Sequence, residues 1–203
     1  MVGTNTNLLV LALRLQLLLT LHVDDLAAKD FAARHAFPEG ISANSNQREM
    51  FFYNTDSMPT STANDTAIAT LAHEFQHMIR FAVDDNDPAW VDEGFSSFTE
   101  LYLGYDTALW TVESYLNNPE AQLNSWRTDN APISAHYGAS ALFMTYLYDR
   151  FGIEAMQALS EDPQDSLTSV EHVLAMFDTT MDEFFADWVL ANYVQNAQID
   201  DGR

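Results

Sequence analysis

From Asp65 onward the chain reads as one helix after another. Asn64 or Asp65 can cap a first helix that runs to about Val83, where Asp84-Asp-Asn-Asp-Pro88 stops it. A second helix is predicted from about Ala89 to Leu103, ending at Gly104, and a third over roughly 107–117. The fourth, from about Ser134 to Phe151, carries an apolar stripe of Tyr137, Ala141, Met144, Tyr148 and Phe151 and ends at Gly152. Thr168 with Glu171, and Thr180 with Glu183, have the spacing of capping boxes and open two more helices. The last of these, Met181 to Val194, offers Phe184, Phe185, Trp188 and Val189 as a core face.

The N-terminal part has a different texture. Leu8 to Leu21 is strongly apolar, but Arg14 and Gln16 interrupt it, and it is too short to span a membrane. It also lacks the positive n-region and small-residue cleavage site of a secretory signal. Leu17–Val23 reads as a buried strand, residues 24–46 as irregular, and Glu49–Tyr53 as a short aromatic strand closed by Pro59. The expected fold is therefore α+β: a small N-terminal sheet followed by a mostly helical part, in one domain over residues 1–203. Within it, residues 45–63 hold the edge strand, 64–104 a helix pair and 105–203 a helical subdomain, while residues 1–40 are the least defined.

Composition narrows the function classes. The net charge is −22 over 203 residues, and Lys29 is the only lysine. Such a surface repels phosphate backbones and anionic lipid, so neither a nucleic-acid partner nor membrane insertion is expected. With 47% hydrophobic residues the chain is no disordered acidic tail. The absence of Cys removes disulfides, thiolate metal sites and a cysteine nucleophile. An acidic, lysine-poor chain suits high salt or an exported life, and the expectation is a secreted or cell-surface protein of bacterial or archaeal type, working as a monomer.

One segment carries recognisable chemistry, Leu71-Ala-His-Glu-Phe-Gln-His-Met78 in the first helix. His73 and His77 are four apart, so both imidazoles project from one face and can hold one metal ion. Glu74 is turned away from that pair but within reach of a water on the metal, the arrangement for metal-assisted hydrolysis. Ile68, Leu71, Ala72, Phe75 and Met78 make the stretch a mainly buried one, where histidines need partners. A third ligand is expected from the following helix, in Trp90-Val-Asp-Glu-Gly-Phe-Ser-Ser-Phe-Thr-Glu100, with Asp92, Glu93 and Glu100 as candidates. Asp92 and Glu93 point about 100° apart, so one of the two is expected to face the metal and the other to point away.

His-Glu-x-x-His followed by Trp-x-x-Glu-Gly-Phe resembles the gluzincin metallopeptidases. The second half is similar to the zinc-ligand segment of the aminopeptidase N family. Three further stretches resemble the hyicolysin-like secreted bacterial metallopeptidases: Ser45–Thr55, His136–Gly152 and Phe185–Tyr193. The resemblance covers about residues 45–195. It implies a single zinc ion held by His73, His77 and Glu93, with Glu74 as general base. It also implies an oxyanion donor from a later segment, for which His136 and Tyr137 are adjacent candidates.

The function expected on these grounds is a zinc-dependent endopeptidase acting on a polypeptide substrate. Phe51, Phe52 and Tyr53 of the edge strand would pair with the extended substrate. Two alternatives stand beside it. One is a zinc-containing domain of a larger surface protein that binds polypeptide or glycan without cutting. The other is an aminopeptidase, although no loop with acidic residues for a free amine precedes the zinc helix. Glu100 and Ser97 are candidates for holding a zinc-bound histidine from behind, Glu100 leaning towards a plain solvated charge. Asp84, Asp85, Asn86 and Asp87 could bind calcium, with a solvated turn as the simpler reading. His22, His35 and His172 read as surface histidines.

Overall fold

The computed structural model describes residues 33–35, 51–53, 65–83, 86–127 and 131–194. The chain forms two compact units, residues 1–74 and 75–203, and the division falls inside a helix. Six α-helices follow one another: α1 Asp65–Val83, α2 Ala89–Tyr102, α3 Leu109–Leu116, α4 Ile133–Glu161, α5 Ser166–Ala175 and α6 Met181–Val194. A single 3₁₀ turn, Asp106–Ala108, leads into α3.

This overturns the α+β expectation. Between residues 65 and 194 the described chain is all helical and contains no strand. The aromatic run at Phe51–Tyr53 yields a three-residue strand, β2, antiparallel to β1 at Ala33–His35 with His35 opposite Phe51. Two strands of that length are too small to form a layer of a domain. The physical reason for the correction lies in where apolar burial is found: the hydrophobic core among the described residues runs from Trp90 to Trp188, on helices and their connections. The expected strand at Leu17–Val23 lies outside the described residues.

The helix boundaries follow local chemistry. Pro88 precedes α2, and its carbonyl accepts from the Val91 and Asp92 amides at 2.9 and 3.3 Å. Gly104 follows α2 with φ of 86°. At α6 the Thr180–Glu183 box is complete: Glu183 accepts from the Thr180 amide at 3.0 Å, and Thr180 Oγ1 accepts from the Glu183 amide at 3.3 Å. The Thr168–Glu171 pair does not open a helix, because α5 already begins at Ser166. Ser166 is held there by Asp87, which accepts from its amide at 3.3 Å, and by Trp90, whose Nε1 donates to its hydroxyl at 3.0 Å. Gly152, with φ 73° and ψ −166°, interrupts α4 as expected, but helix resumes beyond it to Glu161.

Packing centres on α2, α3 and α4. Phe143 of α4 is fully buried and meets Trp90, Phe184 and Trp188 edge-on, with ring centroids 5.5, 5.3 and 5.6 Å away. The α3–α4 contact is close enough to require glycine: a Cβ on Gly138 would stand 2.0 Å from the Thr111 carbonyl oxygen. Of the expected core face of α6, Phe184 and Trp188 are buried, whereas Phe185 and Val189 are 40% and 44% exposed. No helix among the described residues is long and apolar enough to cross a membrane.

Candidate metal centre

Residues four apart on an α-helix stand about 6 Å apart along its axis and share a face. Helix α1 brings His73 and His77 together in this way. The turn at residues 86–88 returns the chain so that the first turn of α2 reaches His77. His73, His77 and Glu93 each offer one ligand atom, and these atoms lie within 4.8 Å of one another. The group can hold a metal ion, and it is the only such cluster of three or more among the described residues.

The two nitrogens of His77 have different partners. Nε2 faces Glu93 Oε2 at 3.4 Å, while Nδ1 faces Asp92 Oδ2 at 2.9 Å and Ser96 Oγ at 3.2 Å. Burial opposes a charge on this ring, which is 9% exposed, yet the hydrogen bonds to Asp92 and Glu93 outweigh it. Together they push the His77 pKa up from 6.5 to about 10. Two ligands bound about 2.0–2.1 Å from a tetrahedral ion stand roughly 3.4 Å apart. The Nε2–Oε2 separation of 3.4 Å matches that spacing, so the residues present fit a bound metal ion.

Asp92 was expected to point away, and instead it grips the same imidazole from behind. Ser96 was missed altogether. It lies one turn after Asp92 on the same helix face, and that spacing was the available signal. Ser97 is buried, but the contact with His77 is made by Ser96. Glu74 is half-buried and follows His73 by about 100° of helix rotation. Glu100 is 8% exposed rather than solvated, and it accepts a short hydrogen bond from the Thr107 hydroxyl, which anchors the turn after α2.

The two oxyanion candidates have separate surroundings. His136 is fully buried. Its Nδ1 lies 2.9 Å from the Gln122 carbonyl oxygen and its Nε2 3.0 Å from that of Arg127. Both nitrogens face the 121–127 connection, and the ring stacks on Trp126 at 5.8 Å. Tyr137 is half-buried, its ring 4.8 Å from Trp126. It shares a helical stripe with Ser140 and Met144. That stripe is where α4 crosses α2: a Cβ on Gly94, the neighbour of Glu93, would meet Met144 Cγ at 3.0 Å and Ser140 Cβ at 3.3 Å.

Phe51, Phe52 and Tyr53 form β2 in the first unit, and their side chains lie outside the described residues. Asp84 and Asp85 also lie outside them. Asp87 is 4% exposed and engaged by the Arg80 guanidinium and the Ser166 amide, which leaves the calcium reading without that carboxylate. His172 is 55% exposed and bonds to Asp162 at 3.1 Å. No protein-family model matches the chain, and no curated protein matches it significantly.

Proposed function

We propose that the chain is a zinc-dependent endopeptidase of gluzincin type. The observation that carries the reading is the convergence of His73, His77 and Glu93 within 4.8 Å, next to a glutamate that follows the first histidine. Zinc in this site would acidify a water and polarise the scissile carbonyl. The protein's own residues divide the rest of the work. Glu74 takes a proton from the attacking water and returns it to the leaving amine. Asp92 and Ser96 fix the ring of His77, so that Nδ1 stays with them and Nε2 is presented beside Glu93. Tyr137 is favoured over His136 as the donor to the developing oxyanion. Its stripe crosses α2 beside Glu93, whereas both nitrogens of His136 face loop carbonyls. The acidic, lysine-poor composition fits a protein that works in salt or outside the cell.

The test is hydrolysis of internally quenched peptides with both ends blocked, run alongside metal analysis. The parent chain is expected to carry about one zinc and to cleave. Glu74→Gln keeps the size of the side chain and removes the proton acceptor. It should stay metallated while cleavage falls by about 10²-fold or more. A metallated parent that leaves blocked peptides intact would sink the endopeptidase reading, and undiminished activity in Glu74→Gln would sink the role of that residue.

A further inference from the structure

Asp92, Glu93 and Ser96, which engage the ring of His77, all lie on α2. Their placement at the imidazole therefore depends on how α2 is turned against α1. Side-chain tips stand about 5–6 Å from a helix axis, so a rotation of about 10° carries them roughly 1 Å. Asp92 and Glu93 turn together, and no rotation adjusts one without moving the other. Metal sites are exacting on this scale, with ligand distances held to about 0.2 Å.

A set of buried contacts that the metal chemistry does not use holds α2 at this angle. Arg80 lies on α1 three residues after His77, roughly one helical turn away. Its guanidinium meets the second segment on both sides of Glu93. It pairs with Asp87, just before the Pro88 that starts α2, and it lies 4.9 Å over the ring of Phe95. The same group donates to the Ser160 carbonyl and hydroxyl, at 3.0 Å each, near the end of α4. Asp87 and Trp90 in turn hold Ser166 at the start of α5, through its amide at 3.3 Å and its hydroxyl at 3.0 Å. The entry into α2 is thus pinned to both ends of the connection between α4 and α5. Ser166 has φ of 62°, a left-handed conformation that a serine keeps only where its surroundings hold it.

We propose that Arg80 and Asp87 are positioning residues for the metal centre: the buried guanidinium sets the rotation of α2, and so places Glu93 at Nε2 and Asp92 at Nδ1 of His77. This rests on the reading of His73, His77 and Glu93 as metal ligands. The two side chains are 1% and 4% exposed. A buried ion pair is a poor source of stability, since apolar residues of similar volume often serve as well. Its value here is direction. The guanidinium is a planar fork, and its two terminal nitrogens reach Ser160 and Asp87 at once.

The experiment titrates the full chain with cobalt(II), whose visible absorption reports the number and geometry of its ligands without any peptide substrate. The parent is expected to bind one ion with the intense absorption of a four-coordinate site, lost in His77→Ala. Arg80→Met should weaken cobalt binding by about tenfold or more and lower the absorption per bound ion. That variant leaves Asp87 charged and buried, so Arg80→Met combined with Asp87→Asn is the second one. Removing the charge should recover much of the stability in urea unfolding, but neither the affinity nor the spectrum. Thr180→Ala, which weakens only the start of α6, should bind cobalt like the parent. The proposal is overturned if the double variant binds with the parent's affinity and spectrum. It is also overturned if affinity follows the urea midpoint across all the variants, which would make the pair a stabilising contact and nothing more. A parent that takes up no cobalt, or keeps it in His77→Ala, overturns the metal reading itself, whereas normal uptake by parent and Arg80 variants alike overturns the positioning role alone.

Discussion

His77 has two ring nitrogens that project in different directions, so neighbouring residues of α2 can each engage one of them. Asp92 and Glu93 diverge by about 100° on their own helix, and helix phase alone suggests that one of them is idle. The imidazole removes that conclusion, since it takes Asp92 at Nδ1 and Glu93 at Nε2. The three ligand candidates were legible because their spacing is a property of the helix they ride on. The carboxylate behind the ring was not, because it depends on how two helices meet. Asp92→Ala removes that support and leaves the three ligand candidates in place. Zinc affinity, measured by competition with a chromophoric chelator, should fall by about 10- to 100-fold. An unchanged affinity would mean that Ser96 suffices to orient His77.

At the scale of single helices, local signals were reliable where capping chemistry is self-contained. Thr180 and Glu183 form their box within four residues, and α6 begins where that spacing placed it. Thr180→Ala should cost about 1 kcal/mol in urea unfolding. Hydrogen bonds from the Thr180 side chain and backbone hold the Glu183 carboxyl below the usual glutamate range. A folded-state pKa below the unfolded one contributes stability above that range and loses it as the pH falls through the folded value. Glu183→Gln should therefore flatten the acid limb of the stability profile, and an equally steep limb in that variant would remove the box from the explanation. The Thr168–Glu171 spacing failed because tertiary bonds from Asp87 and Trp90 start α5 earlier, at Ser166. Half of the α6 core face failed for a similar reason: Phe185 and Val189 line a groove, and periodicity does not reveal whether a neighbouring element covers a stripe. Gly138 lies directly against the Thr111 carbonyl of α3, and Gly138→Ala forces α3 away from α4. A loss of at least about 2–3 kcal/mol is expected in the same assay, and near-parent stability would show that α3 shifts freely.

For the molecule as a whole, charge and topology pull in different directions. Thirty acidic residues against eight basic ones leave the folded chain repelling itself, a term that salt screens. The melting temperature should be higher in molar sodium chloride than in dilute buffer, and a flat or falling response would remove the adaptation to salt. The all-helical architecture was half legible. Helices from residue 65 onward announce themselves by period and caps, while the aromatic run at residues 51–53 suggested a larger sheet than two three-residue strands provide. What ties the helices together is a buried cation. Arg80 is 1% exposed, pairs with Asp87, donates to the Ser160 carbonyl and hydroxyl at 3.0 Å each, and lies 4.9 Å over the ring of Phe95. Ser160 is 80 residues distant in sequence. Closing so long a loop carries an entropic cost, so the expectation is that this contact forms late in folding. Arg80→Met should accordingly leave the refolding rate near the parent value and accelerate unfolding, seen as a raised right-hand limb in a chevron plot. With that outcome, the guanidinium would set how long a folded molecule lasts and not how quickly it forms.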